Sequence, residues 1–473
     1  MTHWLDPVRP YAIAHRGASA HARGNTLRAF DLASDLGAAF WEVDIRTAGD
    51  GVLVAHHDAR TTSGLTVATS TAEALAADCD VPTLEAVIAR AIQRGAGIYA
   101  DIKDADPVAV AGALRRAGLE KAILGAFDPA AVAALKAAGV SYPNAALVPL
   151  GADPFVHAAG ADIIHLCWER MDRPQDMLTP GFLARAAAQG QRVVLWHEED
   201  PGRMADLRGL PILGICSDTP ELVHPFHAPA AWPVRTVAHR GANSVAPENT
   251  LPAAACAFAA GFDWVELDLR TSVDGELVVI HDAEVDRTTD GSGRVIDLTM
   301  SELRALDAGA WFDPHFADVR LPTLREMLDC ARAWGRGIYV EIKDADPIAA
   351  LREAQRAGIV ERCIFWGRDY AGLRAIKAAD PRARIMTRRM DFGPLEDCFE
   401  GLAPDIIEYD STDDWSDMEA ARAFGAALMV CYMGRDPAVF DRVIAARPDI
   451  VNIDDIFTFR RRMEAAGLDT HGR

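Results

Sequence analysis

Glu266 and Asp268 stand two residues apart in the run Trp264-Val-Glu-Leu-Asp-Leu-Arg-Thr271, which reads as a strand, so both carboxylates face one side. Two acids that close repel unless a cation or a shared proton neutralises them. A third acid at a strand end, Glu341, makes a hard, oxygen-ligated cation the simpler answer, and Mg2+ or Ca2+ fits that donor set. His239 and His281, each at the end of a predicted strand, titrate near neutral pH and suit a general acid and a general base. Arg240 and Lys343 bring positive charge for an oxyanion, and the guanidinium fork suits phosphate in particular. Such a set describes metal-assisted attack on a phosphodiester.

The set occurs twice. Ala14-His15-Arg16-Gly17-Ala18 recurs at 238–242, and Glu42 and Asp44 recur as Glu266 and Asp268, at an offset of 224. His57-Asp58 recurs as His281-Asp282 at the same offset, whereas Asp101-Ile102-Lys103 recurs as Glu341-Ile342-Lys343 at 240. The second copy therefore carries 16 extra residues between His281 and Pro322. The chain of 473 residues is too long for one ordinary core, and the repeat predicts a tandem duplication. The expected domains are 1–226 and 234–473, with the proline-interrupted stretch 227–233 as linker.

Inside each copy, short β-rich runs alternate with Ala-rich helical patterns. In the first copy Tyr11–Ala14, Trp41–Asp44, Val52–Ala55, Gly97–Ile102, Ala122–Leu124, Ala145–Val148, Asp162–Leu166 and Val193–Trp196 read as strands. That alternation predicts an α/β protein made of two tandem (β/α)8 TIM-type barrels, because the polar residues gather at the ends of several strands. An open, doubly wound sheet is the alternative.

His239-Arg240-Gly241, Pro247-Glu248-Asn249-Thr250, Glu266-x-Asp268, Asp274-Gly275, His281-Asp282, Leu321-Pro322-Thr323-Leu324 and Glu341-Ile342-Lys343 resemble, in order and spacing, the glycerophosphodiester phosphodiesterase family. The resemblance covers all of the second copy and, less completely, the first. It implies a divalent cation on Glu266, Asp268 and Glu341, and His239 and His281 as the acid/base pair. It further implies attack by a neighbouring glycerol hydroxyl to give a cyclic phosphate that water opens. Residues 283–320 resemble the small insertion such barrels carry beside the mouth, after the third strand.

The first copy keeps His15, Arg16, Glu42, Asp44, His57 and Lys103 but departs at three places. Gly24 stands where Glu248 would hold the phosphate-binding Arg in place, Asp101 replaces Glu341, and the insertion shrinks to Ala59–Val81. These changes argue for an altered substrate or weakened activity, since Asp is a competent ligand for either cation. Trp196, an active-site wall by the resemblance, is expected to align with Tyr432, counting back from Asp200-Pro201 and Asp436-Pro437.

A formal charge of −21 disfavours nucleic acid and anionic membrane surfaces as partners, and Arg460-Arg-Arg462 is too short to overturn it. No apolar run is long enough to span a membrane, and Met1–Pro10 lacks an apolar signal core, so a cytoplasmic enzyme with a small-molecule substrate is expected. The eight Cys show no C-x-x-C pair and read as reduced core residues. Asp410, Asp413, Asp414 and Asp417 lack the Gly and closing Glu of a calcium loop and read as a solvated acidic loop. His56 reads as a bystander, because successive strand residues face opposite sides. The leading function is a metal-dependent glycerophosphodiesterase. A lyase that stops at the cyclic phosphate, or one barrel serving only to bind or buttress, are the alternatives.

Overall fold

A computed structural model describes residues 4–168, 171, 173–468 and 470. The chain divides into two units, 1–224 and 225–473. The first contains strands β1 (Tyr11–Ala14), β2 (Phe40–Thr47), β3 (Leu53–Ala55), β4 (Gly97–Ile102), β5 (Ala122–Ala126), β6 (Asn144–Val148), β7 (Ile163–Cys167), β8 (Arg192–Trp196) and β9 (Gly214–Ser217). The second contains β10 (Arg235–Ala238), β11 (Trp264–Thr271), β12 (Leu277–Val279), β13 (Gly337–Ile342), β14 (Cys363–Gly367), β15 (Arg384–Arg388), β16 (Ile406–Asp410), β17 (Ala427–Tyr432) and β18 (Ile450–Ile453).

In each unit eight parallel strands close on themselves, with β1 pairing both β2 and β9 and β10 pairing both β11 and β18. Both copies are (β/α)8 barrels, as the alternation predicts. One strand assignment is corrected. The run at Val52–Ala55 is a strand, but it lies outside the barrel, antiparallel to β2, because a turn at Gly51 folds it straight back. The eighth barrel strand is β9, Gly-Ile-Cys-Ser, whose length and composition give almost no β signal.

The barrel strands β4 to β7 are buried along their whole length, as expected of parallel strands covered by helices. Among the described residues six α-helices start on an Asp-Pro pair, at Asp106, Asp128, Asp153, Asp200, Asp346 and Asp436. In these the Asp side chain caps an orphan N–H and the Pro fills the first turn. The proline-rich stretch before the second barrel lies against that barrel. Phe226 N–H donates to Ala260 O at 2.6 Å, and Trp232 Nε1 donates to Pro448 O at 2.8 Å. All eight Cys are thiols outside any disulfide, and among the described residues no helix is long and apolar enough to cross a membrane.

Candidate active site

In the second barrel the His-Arg-Gly turn after β10 is a tight one. Arg240 sits at φ 55° and Gly241 at 81°, and a Cβ on Gly241 would come within 2.7 Å of the Ala253 backbone, so only glycine fits. This turn points the Arg240 N–H at Glu266 Oε2, 2.9 Å away. The Arg240 side chain meets Glu248 Oε1 at 2.9 Å and Asp268 Oδ2 at 3.3 Å. Asn249, also left-handed at φ 58°, donates from Nδ2 to Asp268 Oδ2 at 2.8 Å.

Glu266, Asp268 and Glu341 come together as the strand register requires, since Asp268 lies level with Glu341 across β11 and β13. Their ligand-type oxygens lie within 4.8 Å of one another, and Glu266 Oε1 is buried with no hydrogen-bond partner. Lys343 pairs with Asp268 Oδ1 at 3.0 Å and with Glu341. Burial foremost, then the charges of Asp268 and Glu341, push the Glu266 carboxyl up to about 8. Asp268 is held below its usual range: burial opposes this, but Lys343 and Arg240 outweigh it. An orphaned oxygen in a three-carboxylate cradle fits a hard divalent cation.

His239 Nδ1 lies 2.6 Å from Asp454 Oδ1, which also accepts from Asn243 Nδ2 at 2.6 Å, and its Nε2 lies 3.7 Å from Glu266 Oε2. Burial lowers the affinity of this ring for a proton, yet Glu266 and Asp454 more than offset it and its pKa is raised. His281 reaches the mouth by the antiparallel return of β12 instead of from a barrel strand. That return sets Ile280 N–H on Asp268 O at 3.0 Å, level with the metal-type acids. His281 Nδ1 meets Asp282 Oδ1 at 2.6 Å. From the segment after β12, Arg287 donates to both Glu248 oxygens at 2.8 and 2.9 Å and to Asp282 at 2.6 Å. It thereby ties the backing groups of Arg240 and His281 into one network. His239, Arg240, His281, Glu341, Lys343 and Asp454 line a cavity of about 520 Å³ whose far wall is Trp366, Arg388, Glu408 and Asp410. There the Arg388 guanidinium stacks on Trp366 at 4.0 Å and pairs with Glu408 at 3.3 Å.

The first barrel repeats the plan. His15 pairs with Asp218 at 2.7 Å, Arg16 N–H with Glu42 at 2.8 Å, and Arg16 Nε with Asp44 at 3.2 Å. Lys103 pairs with Asp101 at 2.6 Å and Asp44 at 2.9 Å, and His57 with Asp58 at 2.7 Å. Glu42, Asp44 and Asp101 likewise gather within 4.8 Å, and Asp101 Oδ1 is buried without a partner. Burial chiefly raises Asp101 to about 6. His15 differs from His239, because burial lowers its pKa and Asp218 only partly compensates. Gly24 offers Arg16 no carboxylate, and a Cβ there would already sit 3.0 Å from Arg16 Cβ.

Of the further groups at the site, Asn249 and Asp282 stand inside the motifs without a role legible there, Arg287 lies in the insertion, and Asp454, Trp366, Arg388 and Glu408 lie in no motif. The expected pairing of Trp196 with Tyr432 is corrected. His165 aligns with Val194 and Glu408 with Met429, so two residues on Trp196 stands level with Cys431. Tyr432 faces the helix layer instead, packed on Phe440 with ring centroids 5.1 Å apart. The acidic loop is corrected too. Asp410 lines the cavity and Asp417 accepts from Arg389 at 2.7 Å, because Asp410 ends a strand and is not a loop residue.

The sequence model of the glycerophosphoryl diester phosphodiesterase family matches residues 15–222 and again 239–398. A protein of Caldanaerobacter subterraneus subsp. tengcongensis named glycerophosphodiester phosphodiesterase is 33% identical over 191 residues, covering 36% of this chain and 79% of that protein. A Bacillus subtilis protein of the same name is 38% identical over 130 residues, 25% of this chain but only 43% of that protein. Among solved structures, a glycerophosphodiester phosphodiesterase of Agrobacterium tumefaciens is 34% identical and covers 48% of this chain and 99% of its own, with a TM-score of 0.45.

Proposed function

This chain belongs to the glycerophosphoryl diester phosphodiesterase family, and on that premise we propose that its second barrel hydrolyses glycerophosphodiesters to glycerol phosphate and an alcohol. Family and named relatives together make the chain a phosphodiester hydrolase. The observation that carries the finer reading is the cradle of Glu266, Asp268 and Glu341, with one buried oxygen unpartnered, beside Lys343 and Arg240.

Glu266, Asp268 and Glu341 would hold a divalent cation, Mg2+ or Ca2+, which would supply Lewis acidity to the phosphate. Arg240 and Lys343 hold the phosphate, and Glu248 keeps the Arg240 fork aimed. Each His has its Nδ1 occupied by a carboxylate, Asp454 or Asp282, so Nε2 is the nitrogen left to move a proton. One of the pair takes the proton of the attacking glycerol hydroxyl as its oxygen bonds to phosphorus. The other protonates the alcohol oxygen as its bond to phosphorus breaks, and the cyclic phosphate is then opened by water with the roles exchanged. His15, His57, Arg16, Lys103, Glu42, Asp44 and Asp101 hold the same places in the first barrel.

The test is turnover of a glycerophosphodiester by the whole chain, followed by phosphorus NMR, with and without chelator. Glycerol phosphate formed only with metal supports the reading. Full turnover in excess chelator would sink the metal assignment, and accumulation of cyclic phosphate alone would make the enzyme a lyase.

A further inference from the structure

Three neighbouring strand ends of the first barrel carry a second group of ligand-type side chains. Strands β1, β9 and β8 lie side by side, and His15, Asp218 and His197 are the first residues beyond them. Their ligand-type atoms, one from each side chain, lie within 4.8 Å of one another. His15 shares its Nδ1 with Asp218 Oδ1 at 2.7 Å, is 6% exposed, and has an Nε2 without a hydrogen-bond partner. The rings of His15 and His197 have centroids 5.2 Å apart and planes 18° apart. With metal–nitrogen bonds of about 2.0–2.1 Å, two imidazoles on one tetrahedral ion hold their centroids roughly 5 Å apart. The two rings already stand at that spacing.

The groups around the three are those a bound cation needs. Ser19 Oγ donates to Asp218 Oδ1 at 2.6 Å, and Glu199 accepts from the Asp218 N–H at 2.6 Å and from Ser217 Oγ at 3.0 Å. Glu199 Oε1 also lies 3.5 Å from His197 Nδ1, on the side from which a carboxylate commonly orients a ligating imidazole. Asp218 and Glu199 together bring two negative charges to balance one dication. The side chains of His197 and Asp218 are 27% and 33% exposed, and a cavity of about 110 Å³ borders His197 and Glu199, which gives an ion a way in. The second barrel does not repeat the second imidazole. Trp196 is level with Cys431, so Tyr432 follows where His197 does, and its ring packs on Phe440.

We propose that His15, His197 and Asp218 form a metal site separate from the carboxylate cradle of the first barrel, and that it takes a transition-metal dication of the zinc class. Two imidazoles and one carboxylate suit such an ion, whereas Mg2+ and Ca2+ prefer an all-oxygen shell like that of Glu42, Asp44 and Asp101. The ion takes the lone pair of whichever His15 nitrogen it binds, and the other nitrogen keeps the proton. His15 is thereby withdrawn from proton transfer. That consequence rests on the phosphodiester reading above, and the binding itself does not.

In the experiment the whole chain is titrated with Co2+ in excess Mg2+, added to occupy the carboxylate cradles, and the visible absorption of imidazole-bound Co2+ is followed. An equivalent with that absorption should bind and be displaced by Zn2+. Losing a group that backs a ligand costs about 10–100-fold in metal affinity, so His197→Ala, which removes a ligand, should weaken this equivalent by about a hundredfold or more. His239→Ala should leave it intact. Absence of the equivalent, or undiminished binding in His197→Ala, would overturn the proposal, and its loss in His239→Ala would do the same by placing the ion in the second barrel. X-ray absorption of the unaltered chain carrying one Zn2+ needs no variant. Two imidazoles in the first shell support the site, and an all-oxygen shell refutes it. None of these readouts involves turnover, so inactivity on every glycerophosphodiester would count against the phosphodiesterase reading alone.

Discussion

Replacing Glu266 by Gln removes one charge from the three-acid cradle while leaving its shape. Without metal, the Glu266 carboxyl has its pKa pushed from the ordinary 4.5 up to about 8, mainly by burial and then by the charges of Asp268 and Glu341. An acid whose folded pKa lies above its unfolded one holds its proton more tightly in the fold. Stability is therefore greatest below about 4.5 and declines as pH rises towards 8. Each pH unit inside that window costs about 1.4 kcal/mol, and the slope flattens near its upper edge. Between pH 6 and pH 9 the wild type should lose about 3 kcal/mol that Glu266→Gln does not lose. His239, 3.7 Å from Glu266, offsets part of this while it is protonated, so the divergence grows mainly above neutrality. For a barrel of this size the difference is roughly 6–12 °C in the melting temperature of the second domain. The assay is calorimetry of both proteins in chelator at pH 6, 7, 8 and 9, in which titrating groups remote from Glu266 cancel. Adding a divalent cation should restore the wild type at pH 9 and leave the variant unmoved. Parallel pH profiles for the two proteins in chelator would refute the reasoning.

Arg287→Ala should lower kcat/KM by about 10–100-fold with little change in melting temperature, since the side chain is partly exposed but backs both Arg240 and His281. Steady-state kinetics check this, and Arg287→Lys should rescue poorly because one ammonium cannot make the paired bonds to Glu248. Asp454→Asn removes one of the two groups that hold the His239 pKa up, so the His239 resonance should titrate at lower pH by NMR and activity should fall. An unmoved titration would show that Asp454 does not tune the ring. His239→Ala should remove most turnover of small glycerophosphodiesters, typically a hundredfold or more, whereas His15→Ala should leave it nearly unchanged; matched assays on the two variants decide.

The chemistry-bearing residues were legible because catalysis restricts residue type as well as position. His-Arg-Gly, Glu-x-Asp and Glu-Ile-Lys state both, and the duplication repeats them. The barrel was legible from the alternation, but not which strands form it. Val52–Ala55 has the β-branched pattern of a barrel strand yet returns antiparallel, while Gly214–Ser217 closes the barrel with residues of weak strand preference, because its neighbours supply the ladder. The far wall was not legible. Arg388, Glu408 and Trp366 lie on strands with no motif, and their meeting depends on register between distant strands. The same dependence put Trp196 level with Cys431 and not Tyr432, since counting from a helix cap cannot see a one-residue difference in the loop between strand and helix.

The most direct measurement is a phosphorus NMR time course of one small glycerophosphodiester, followed with four samples: the whole chain with metal, the whole chain in chelator, His15→Ala with metal, and His239→Ala with metal. Glycerol phosphate should accumulate in the first and third samples and in neither of the others. Accumulation in chelator, or persistence of the full rate in His239→Ala, would contradict a metal-dependent site in the second barrel.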